Sequence, residues 1–352
     1  MIKLSVRRIS GESHGAQSGR LNWSSRSGLL LELSTQSSRG LGEASPLPGF
    51  SPDSLENVER ALRELDLSAL ERALGDRDIR DALRATKNLL PRSLPSARMA
   101  LETAVLDLRG HQCGVSAPEL LGAALHSEHA LAWLAGLPDA SSLAASRKAQ
   151  EAGYRHFKLK LGRAGHFERE LAGVSEFRQV LGPEPRIRLD ANGAWSETET
   201  RLACRALEGL DIELIEEPCG HLGCSVQTSI PIALDESLRG LDCDGLEDLA
   251  RRTSARFAIL KPMVLGGLSH CLDLAERAHD LGVGIVVSHS FDGPLALSAA
   301  GALALALAGD TAHGLAPHAG LAAWPKVPLP IRGAALRAWA SPGLGAVSES
   351  LD

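Results

Sequence analysis

From about residue 130 onward, short apolar runs alternate with longer segments whose apolar residues recur at helical spacing. The runs predict strands, and each segment between them predicts a helix that returns the chain to the next strand. Because the alternation is regular and no G-x-G-x-x-G sequence follows a strand, the pattern favours a parallel barrel over a dinucleotide-binding open sheet. The eight predicted strands cover residues 131–134, 156–161, 186–190, 214–217, 232–235, 257–261, 284–288 and 311–315.

The first part of the chain has a different pattern. Apolar runs at 3–9, 19–23 and 29–33 predict an antiparallel meander, and the Gly- and Pro-rich stretch 40–50 predicts an irregular loop. Helical spacing follows at 54–65, 70–74 and 96–109. We therefore expect an α+β domain at 1–110, a barrel at 111–323, and a Pro-rich segment, 324–352, that packs back on the first domain.

Composition argues against several classes of partner. The net charge is −6 and no dense Lys/Arg run is interleaved with aromatics, which argues against nucleic acid. The most apolar stretch, 294–309, is shorter than the roughly 20 residues of a membrane span and predicts a buried barrel helix instead. Residues 1–10 lack an apolar leader and the six cysteines lack a disulfide-like spacing, so we expect a cytoplasmic protein with reduced thiols.

Acidic residues end three neighbouring predicted strands: Asp190 in RLDAN, Glu216 in LIEEP and Asp235 in IALDES. Strand ends of a parallel barrel meet at its C-terminal mouth, where active sites of this architecture lie. One such carboxylate alone would most simply cap the next helix, but three in succession match the oxygen ligands that Mg²⁺ prefers. They predict a magnesium site. Asn192 would share the face of Asp190 in an extended segment and support it.

Three lysines accompany these carboxylates. Lys158 and Lys160, in FKLKLG, lie two residues apart on the second predicted strand and therefore point to the same side. Lys261 ends the sixth predicted strand, across the barrel. A buried lysine is costly unless it is paired or functional, and nearby cations lower its pKa so that it can act as a base. These positions predict proton-transfer groups that face the metal site.

Two further polar groups have weaker interpretations. Ser288, His289 and Ser290 end the seventh predicted strand and offer hydroxyl and backbone N–H groups to a substrate carboxylate, although a solvated strand end is an equally simple interpretation. The C-x-H-x₂-C sequence at 219–224 superficially resembles a zinc site, but no fourth ligand follows at a suitable spacing.

In chain order, the sequences GEASPLPGF, SARMALETAVLDLRG, KLK, DAN, EEP, DES and KP resemble the enolase superfamily in its muconate-lactonizing subgroup. The resemblance covers nearly the whole chain. It implies an α/β fold, a modified TIM barrel (β/α)₇β with an N-terminal α+β capping domain, and Mg²⁺ as cofactor with Mn²⁺ as a substitute. It also implies roles for the charged residues: metal ligation by Asp190, Glu216 and Asp235, a base at Lys160, support from Lys158, and contact with the opposite face of the substrate by Lys261.

Within the subgroup, RLDANGAW, EEPC, DESLR and SHSFDGP most resemble the o-succinylbenzoate synthases. This resemblance implies a carbon–oxygen lyase that dehydrates 2-succinyl-6-hydroxy-2,4-cyclohexadiene-1-carboxylate to o-succinylbenzoate in menaquinone biosynthesis, through α-proton abstraction and an enediolate intermediate. The implied partner is a small-molecule carboxylate, with neither nucleic acid nor membrane, and the oligomeric state stays open. Pro48 and Gly49, in the cap loop, would contact the succinyl arm.

Two other functions remain open at this point. The same two opposed lysines would serve an N-succinylamino acid racemase or a dipeptide epimerase, and a succinyl arm is common to the first of these and the synthase. The more remote alternative is a non-catalytic metal-binding barrel.

Overall fold

The structure, a computed structural model, describes residues 1–18, 21–220, 226, 228–307, 309–321, 324 and 331–345. Its N-terminal layer is an antiparallel sheet in the order β1 (Lys3–Ser18), β2 (Leu21–Ser34) and β3 (Arg39–Ala44). The predicted run 29–33 and the described part of the run 19–23 both belong to one strand, β2. Leu29, Leu31 and Leu33 of β2 are fully buried on one face of the strand, and Leu30 on its other face is buried as well, at 5% exposed.

Five helices follow this sheet: α1 (Leu55–Arg63), α2 (Leu67–Leu74), α3 (Ile79–Thr86), α4 (Pro95–Cys113) and α5 (Ala117–Leu120). The side chains of Ser54, Asp66 and Asp78 each accept a hydrogen bond from a first-turn N–H, which fixes where the first three helices begin. Helix α3 is not among the predicted helices. Helix α4 is buried along most of its length and forms the centre of the domain.

The predicted loop at 40–50 is wrong in its first half, because β3 continues to Ala44. Gly40 and Gly42 do not interrupt this strand; they allow helix α4 to lie directly against it. A Cβ on Gly40 would stand closer than 3.0 Å to the backbone nitrogen of Leu108, and one on Gly42 would come as close to the carbonyl oxygen of Ala100. These glycines are therefore required by a close approach between a strand and a helix.

Seven parallel strands follow in one sheet, in the order of the chain. The short strand β4 (Glu128–Ala130) leads into them. Each of the first seven predicted strands overlaps an observed one, and the α/β fold class with its capping domain is confirmed. The seven are β5 (Ala132–Gly136), β6 (His156–Lys160), β7 (Arg186–Asp190), β8 (Ile212–Glu216), β9 (Ile232–Leu234), β10 (Phe257–Leu260) and β11 (Gly284–Val287).

The helices of this second part connect the strands: α6 (Ala140–Glu151), α7 (Phe167–Leu181), α8 (Glu197–Ala206), α9 (Cys243–Thr253), α10 (Pro262–Leu265), α11 (Leu268–Asp280) and α12 (Pro294–Ala306), with a 3₁₀ turn at Glu236–Leu238. Helix α12 contains the most apolar stretch and is buried, as predicted. In the described part of the chain, no helix is long and apolar enough to cross a membrane.

The eighth predicted strand, 311–315, is wrong as a continuous strand. His313 and Gly314 form single parallel bridges, to Leu131 and Ser288 respectively. Through them the chain hydrogen-bonds to both ends of the sheet: His313 O accepts from the first residue of β5 at 2.9 Å, and Gly314 N donates to the last residue of β11 at 2.9 Å. Two residues close the ring: their backbones pair with one edge strand each, and His313 Nδ1 also accepts a hydrogen bond from Val287 N of β11 at 3.0 Å.

The C-terminal segment returns along the molecule. Strands β12 (Ile331–Arg332) and β13 (Ala335–Arg337) form a sheet with β4, and the backbone N–H of Leu344 donates to Asp107 Oδ1 of α4 at 2.8 Å. The domain boundaries at 110 and 323 stay a prediction, and residues 346–352 lie outside the described part of the chain.

Two buried carboxylates of the N-terminal domain cap helices of the barrel. Glu43, on β3, accepts hydrogen bonds from Gly293 N at 2.7 Å and Leu295 N at 3.2 Å, at the start of α12. Glu102, on α4, accepts from Ser269 N at 2.7 Å and Ser269 Oγ at 2.6 Å, in the first turn of α11. First-turn N–H groups have no acceptor within their own helix. The cap domain therefore supplies hydrogen-bond acceptors to the first turns of α11 and α12.

Candidate active site

Three acidic side chains lie together at one edge of the parallel sheet. Asp190 ends β7 and is paired in register with Glu216, which ends β8; Asp235 follows the last residue of β9. Their exposed fractions are only 1%, 2% and 4%. The structure places these strand ends side by side, while their role as metal ligands stays a prediction.

The two lysines of β6 face this group from the neighbouring strand. Lys158 Nζ lies 2.9 Å from Asp190 Oδ2 and also donates a hydrogen bond to Glu216 Oε2. Lys160 Nζ is farther away, 3.9 Å from Asp190 Oδ2. Both side chains border the same space, as their spacing predicts, but only Lys158 is bound tightly between two carboxylates.

The third lysine approaches from the other side of the barrel. Lys261 follows β10, the sixth strand of the ring, whereas Lys160 lies on the second, so the two are diametrically placed in a ring of eight positions. Lys261 Nζ lies 2.5 Å from Asp235 Oδ2 and 5.7 Å from the centroid of the Phe50 ring. Phe50, in the loop of the cap domain, therefore covers the site beside this ammonium group.

Two more acids belong to the site, the buried Glu217 and the partly buried Glu236, and the sequence patterns singled out neither of them. Glu217 accepts hydrogen bonds from Asp235 N at 2.8 Å and from the hydroxyl of Ser237. Glu236 has one carboxylate oxygen, Oε2, that is buried and has no hydrogen-bond partner among the described residues. The sequence did contain an indication of each: Glu217 directly follows Glu216 in EEP, and Glu236 directly follows Asp235 in DES.

Asn192 connects the acids, although its predicted geometry is wrong. Its backbone is left-handed, with φ of 46°, so it does not continue the extended segment of Asp190. Its N–H donates to Asp190 Oδ1 at 3.0 Å, and its Nδ2 donates to Glu236 Oε1 at 3.4 Å. The strand ends at Asp190. In the turn that follows, the backbone N–H of Asn192 binds Asp190 and its side-chain amide binds Glu236.

The donor set fits a divalent cation. The carboxylates of Asp190, Glu216 and Asp235 are the oxygen ligands that a hard divalent cation prefers, and the buried Oε2 of Glu236 has no hydrogen-bond donor among the described residues. Within the described residues, no three Asp, Glu, His or Cys side chains are already arranged around one point as a metal site. The ammonium groups of Lys158 and Lys261 contact the carboxylate oxygens instead.

These contacts shift the ionisation of the site in opposite directions. Burial lowers the pKa of Lys158, but the carboxylates of Asp190 and Glu216 outweigh it and raise that pKa above its ordinary value. Burial also lowers the pKa of Lys160, and the charges of Lys158 and Lys261 add to this effect against the opposing charge of Asp190, so this pKa is lowered overall. The two lysines of one strand therefore differ in basicity.

A cavity, which we call the first cavity, opens above these side chains. The predicted substrate-binding residues Ser288, His289 and Ser290 are among its lining residues. The hydroxyl of Ser288 donates to Gly314 O at 3.2 Å, whereas the hydroxyl of Ser290 is buried and has no hydrogen-bond partner among the described residues. Ser290 is therefore the one of these two hydroxyls that a polar substrate group could still engage, and the substrate contacts themselves stay a prediction.

The cap loop reaches the first cavity through Leu47 and Phe50. Pro48 and Gly49 lie between them and are not among its lining residues, so their contact with substrate stays a prediction. The carbonyl oxygen of Pro48 instead accepts a hydrogen bond from Trp23 Nε1 at 3.0 Å. This bond ties the loop to β2 and fixes the two side chains that do border the cavity.

Arg188 also lines the first cavity, and the sequence patterns did not single it out. It lies two residues before Asp190 on β7, and this spacing, which places both side chains on one face, was the indication available in the sequence. Its guanidinium is 1% exposed and forms a two-point ion pair with Glu213, at 2.7 and 3.0 Å. Arg188 Nη1 also donates to Ala312 O at 2.7 Å, which ties the cavity floor to the closing segment.

A second cavity lies beside the first. The two share the side chains of Leu134, Lys160, Asn192 and Phe291. Phe291 has a left-handed backbone, with φ of 56°, which is unusual for a residue other than glycine. Lys160 therefore borders both spaces.

The predicted reduced state of the cysteines is wrong for Cys219, which takes part in a disulfide. Spacing along the chain does not show which sulfur atoms approach each other in space. The cysteines at 113, 204, 243 and 271 are free, as predicted. His221 and Cys224, the other members of the C-x-H-x₂-C sequence, lie outside the described residues.

Comparisons with known proteins agree with this architecture. A family model described as "Enolase C-terminal domain-like" matches residues 141–349, and one described as "MenC, N-terminal domain" matches residues 19–78. Muconate cycloisomerase 1-1 of Acinetobacter lwoffii is 31% identical over 264 residues, which are 72% of this chain and 68% of that protein. The o-succinylbenzoate synthase of Haemophilus influenzae is 30% identical over 325 residues, which are 87% of this chain and 88% of that protein.

Solved structures give the same result for the fold. The muconate lactonizing enzyme of Pseudomonas fluorescens, complexed with muconolactone, superposes with a TM-score of 0.84 at 25% identity, over 99% of this chain and 96% of that one. The L-Ala-D/L-Glu epimerase of Bacillus subtilis has a TM-score of 0.85 at 24% identity, over 98% of both chains. The chain belongs to the enolase superfamily, in the group that contains the muconate cycloisomerases and the o-succinylbenzoate synthases.

Proposed function

We propose that this protein is a Mg²⁺-dependent dehydratase that converts 2-succinyl-6-hydroxy-2,4-cyclohexadiene-1-carboxylate to o-succinylbenzoate, a step of menaquinone biosynthesis. The observation that carries the proposal is the pair of opposed lysines, Lys160 and Lys261, beside buried carboxylates in a single cavity. The match of residues 19–78 to the MenC N-terminal family supports this reaction over the others of the group.

In this proposal Lys160 removes the proton α to the substrate carboxylate. The C–H electron pair forms a ring double bond, the C–O bond to the hydroxyl group breaks, and Lys160 returns its proton to the departing hydroxide as water. Lys160 suits both steps because it is the less tightly bound of the two lysines on β6 and borders open space. Lys261 stabilises the negative charge from the opposite face.

Other residues arrange these groups. Lys158 is held between Asp190 and Glu216 and keeps the two carboxylates at a fixed separation. Asp190, Glu216 and Asp235 are the proposed ligands of Mg²⁺, since three buried carboxylates at adjacent strand ends suit a hard cation. When bound, the ion would supply positive charge to the substrate carboxylate as its negative charge increases.

A second candidate is 1,1-proton transfer, as in racemisation of an N-succinylamino acid or epimerisation of a dipeptide. The favouring observation is the same opposed pair, because Lys160 and Lys261 lie on opposite sides of the ring and would reach a bound carbon from its two faces. The fate of the intermediate distinguishes the two functions: a leaving group on the adjacent carbon gives dehydration, and its absence gives return of a proton.

The test is an ultraviolet progress curve with the cyclohexadiene substrate, in Mg²⁺ and then in excess EDTA. We expect metal-dependent loss of the diene absorbance with o-succinylbenzoate as product. Lys160→Ala should abolish turnover, and Lys148→Ala, at an exposed lysine on α6, is the matched control. No turnover of the diene, together with deuterium incorporation into an N-succinylamino acid in D₂O, would replace the first function with the second.

A further inference from the structure

The second cavity differs chemically from the first. Much of its wall is small or apolar, as at Leu134, Leu137 and Gly162. No Asp or Glu is among the described residues that line it, whereas the first cavity contains Asp190 and Glu216. Its charged lining residues are a lysine and an arginine. A space of this kind suits an anion at the end of an apolar chain.

Arg163 is oriented for such an anion. The buried carboxylate of Glu170 accepts hydrogen bonds from Gly162 N at 2.7 Å and from Arg163 Nε at 2.9 Å. This carboxylate fixes the turn that follows β6 and holds one edge of the guanidinium. Among the described residues, Arg163 has no other side-chain partner, so its two terminal nitrogens are available to a carboxylate in the two-point geometry that arginine favours.

His318 offers a second donor to the same cavity. Its Nδ1 accepts a hydrogen bond from Gly320 N at 2.9 Å, so the neutral ring has its proton on Nε2. Burial, with the nearby charge of Lys160, lowers the pKa of His318 below its ordinary value, which keeps the ring neutral near pH 7. Nε2 has no partner among the described residues, and it is the free donor of a ring that lines the cavity.

The wall between the two cavities is held in place by the cap domain. Arg26 of β2, which is 1% exposed, donates hydrogen bonds to Phe291 O at 2.5 Å and to Ser45 O at 2.8 Å. The ring of Phe291 packs 5.4 Å from that of His318, centroid to centroid. A left-handed backbone costs free energy at a residue other than glycine, and backbone strain of this kind, held by surrounding contacts, is typical of binding sites.

We propose that the second cavity binds the terminal carboxylate of the substrate's side arm, with Arg163 and His318 as its donors. The inference rests on the proposed function, because it takes the reacting ring or α-carbon to lie in the first cavity beside Lys160. The ligand class is an acyl arm that ends in a carboxylate, such as a succinyl group. Arg163 and His318 then determine which substrates are bound and take no part in proton transfer.

The test compares two ligands that differ only at the end of the arm, o-succinylbenzoate and 2-butanoylbenzoate. Their dissociation constants are measured by calorimetry on the full chain in MgCl₂. We expect o-succinylbenzoate to bind at least about tenfold more tightly, as a charge-assisted hydrogen bond provides. Arg163→Gln and His318→Phe should each reduce this ratio several-fold and leave the affinity for 2-butanoylbenzoate unchanged.

Arg169→Gln, at an exposed arginine on α7, is the matched control and should leave the ratio unchanged. If Arg163→Gln folds poorly, Arg163→Lys is measured in its place. This variant keeps the positive charge but loses the hydrogen bond from Nε to Glu170, so we expect a ratio between those of wild type and His318→Phe. Equal binding of the two ligands, or a ratio unchanged in Arg163→Gln and His318→Phe, would overturn the proposal. A preserved ratio in a protein without dehydratase turnover would refute the proposed reaction and leave the subsite standing.

Discussion

Replacement of Glu213 by Gln tests how a buried ion pair supports the floor of the active site. Glu213 binds the guanidinium of Arg188 at two points and lies 3.0 Å from His156 Nδ1. Burial raises the pKa of Glu213, but the hydrogen bonds from His156 and Arg188 outweigh it and lower that pKa from 4.5 to about 2. At about 1.36 kcal/mol for each pKa unit, the ionised carboxylate stabilises the folded protein by about 3 kcal/mol.

The sign of the pH dependence follows from this lowered pKa. The stabilisation is complete above the pKa that the Glu213 carboxyl has in the unfolded chain, and it is lost as the pH falls towards and through the pKa of this carboxyl in the folded protein. Wild type should therefore lose about 1 kcal/mol of it by pH 4 and about 2 kcal/mol by pH 3. Glu213→Gln lacks this contribution, so we expect a variant about 3 kcal/mol less stable than wild type at pH 7, with a difference that narrows on acidification.

The assay is urea unfolding followed by far-ultraviolet circular dichroism at pH 7, 4 and 3. Glu208→Gln, at an exposed glutamate without a described ion pair, is the control and should match wild type at each pH. A difference between wild type and Glu213→Gln that stays constant from pH 7 to pH 3 would refute the electrostatic reasoning. A difference below about 1 kcal/mol at pH 7 would show that the buried guanidinium of Arg188 does not need this partner.

Three other changes test the site and its support. Lys160→Ala should leave the Mg²⁺ affinity within about twofold of wild type in a calorimetric titration, since this lysine is not a proposed ligand; a large loss of affinity would place it in the metal site. Asp235→Asn should weaken Mg²⁺ binding at least about tenfold, and turnover with it, and an unchanged metal dependence would remove Asp235 from the ligand set. Gly293→Ala should lower the free energy of unfolding by about 1–3 kcal/mol, because its Cβ would stand closer than 3.0 Å to Glu43 Oε1, and an unchanged melting temperature would contradict this contact.

The features that the sequence predicts here are those with a local period. The strand ends at Asp190 and Glu216 follow from the alternation of apolar runs and helical segments, because that alternation leaves few other topologies. The shared face of Lys158 and Lys160 follows from the period of two within one strand. These regularities extend over a few residues, and they were sufficient to bring the charged groups of the first cavity together.

The features that the sequence did not predict depend on contacts between distant segments. Gly40 and Gly42 were expected in a loop because nothing near them in the chain shows that a helix will lie against their strand. The closing segment at 313–314 is too short to have a period. Arg163 and His318 belong to no motif, and they come to one cavity only through the turn after β6 and the segment after the ring closure.

The carboxylates of Glu43 and Glu102 have a consequence for any attempt to divide this molecule. A fragment that begins after α4 would leave the starts of α11 and α12 without the acceptors that their backbone N–H groups now have. We therefore expect the barrel to fail as a minimal catalytic unit, and both parts to unfold in one transition. A cap transplanted from a relative would function only if it brought an acid to each of these two places.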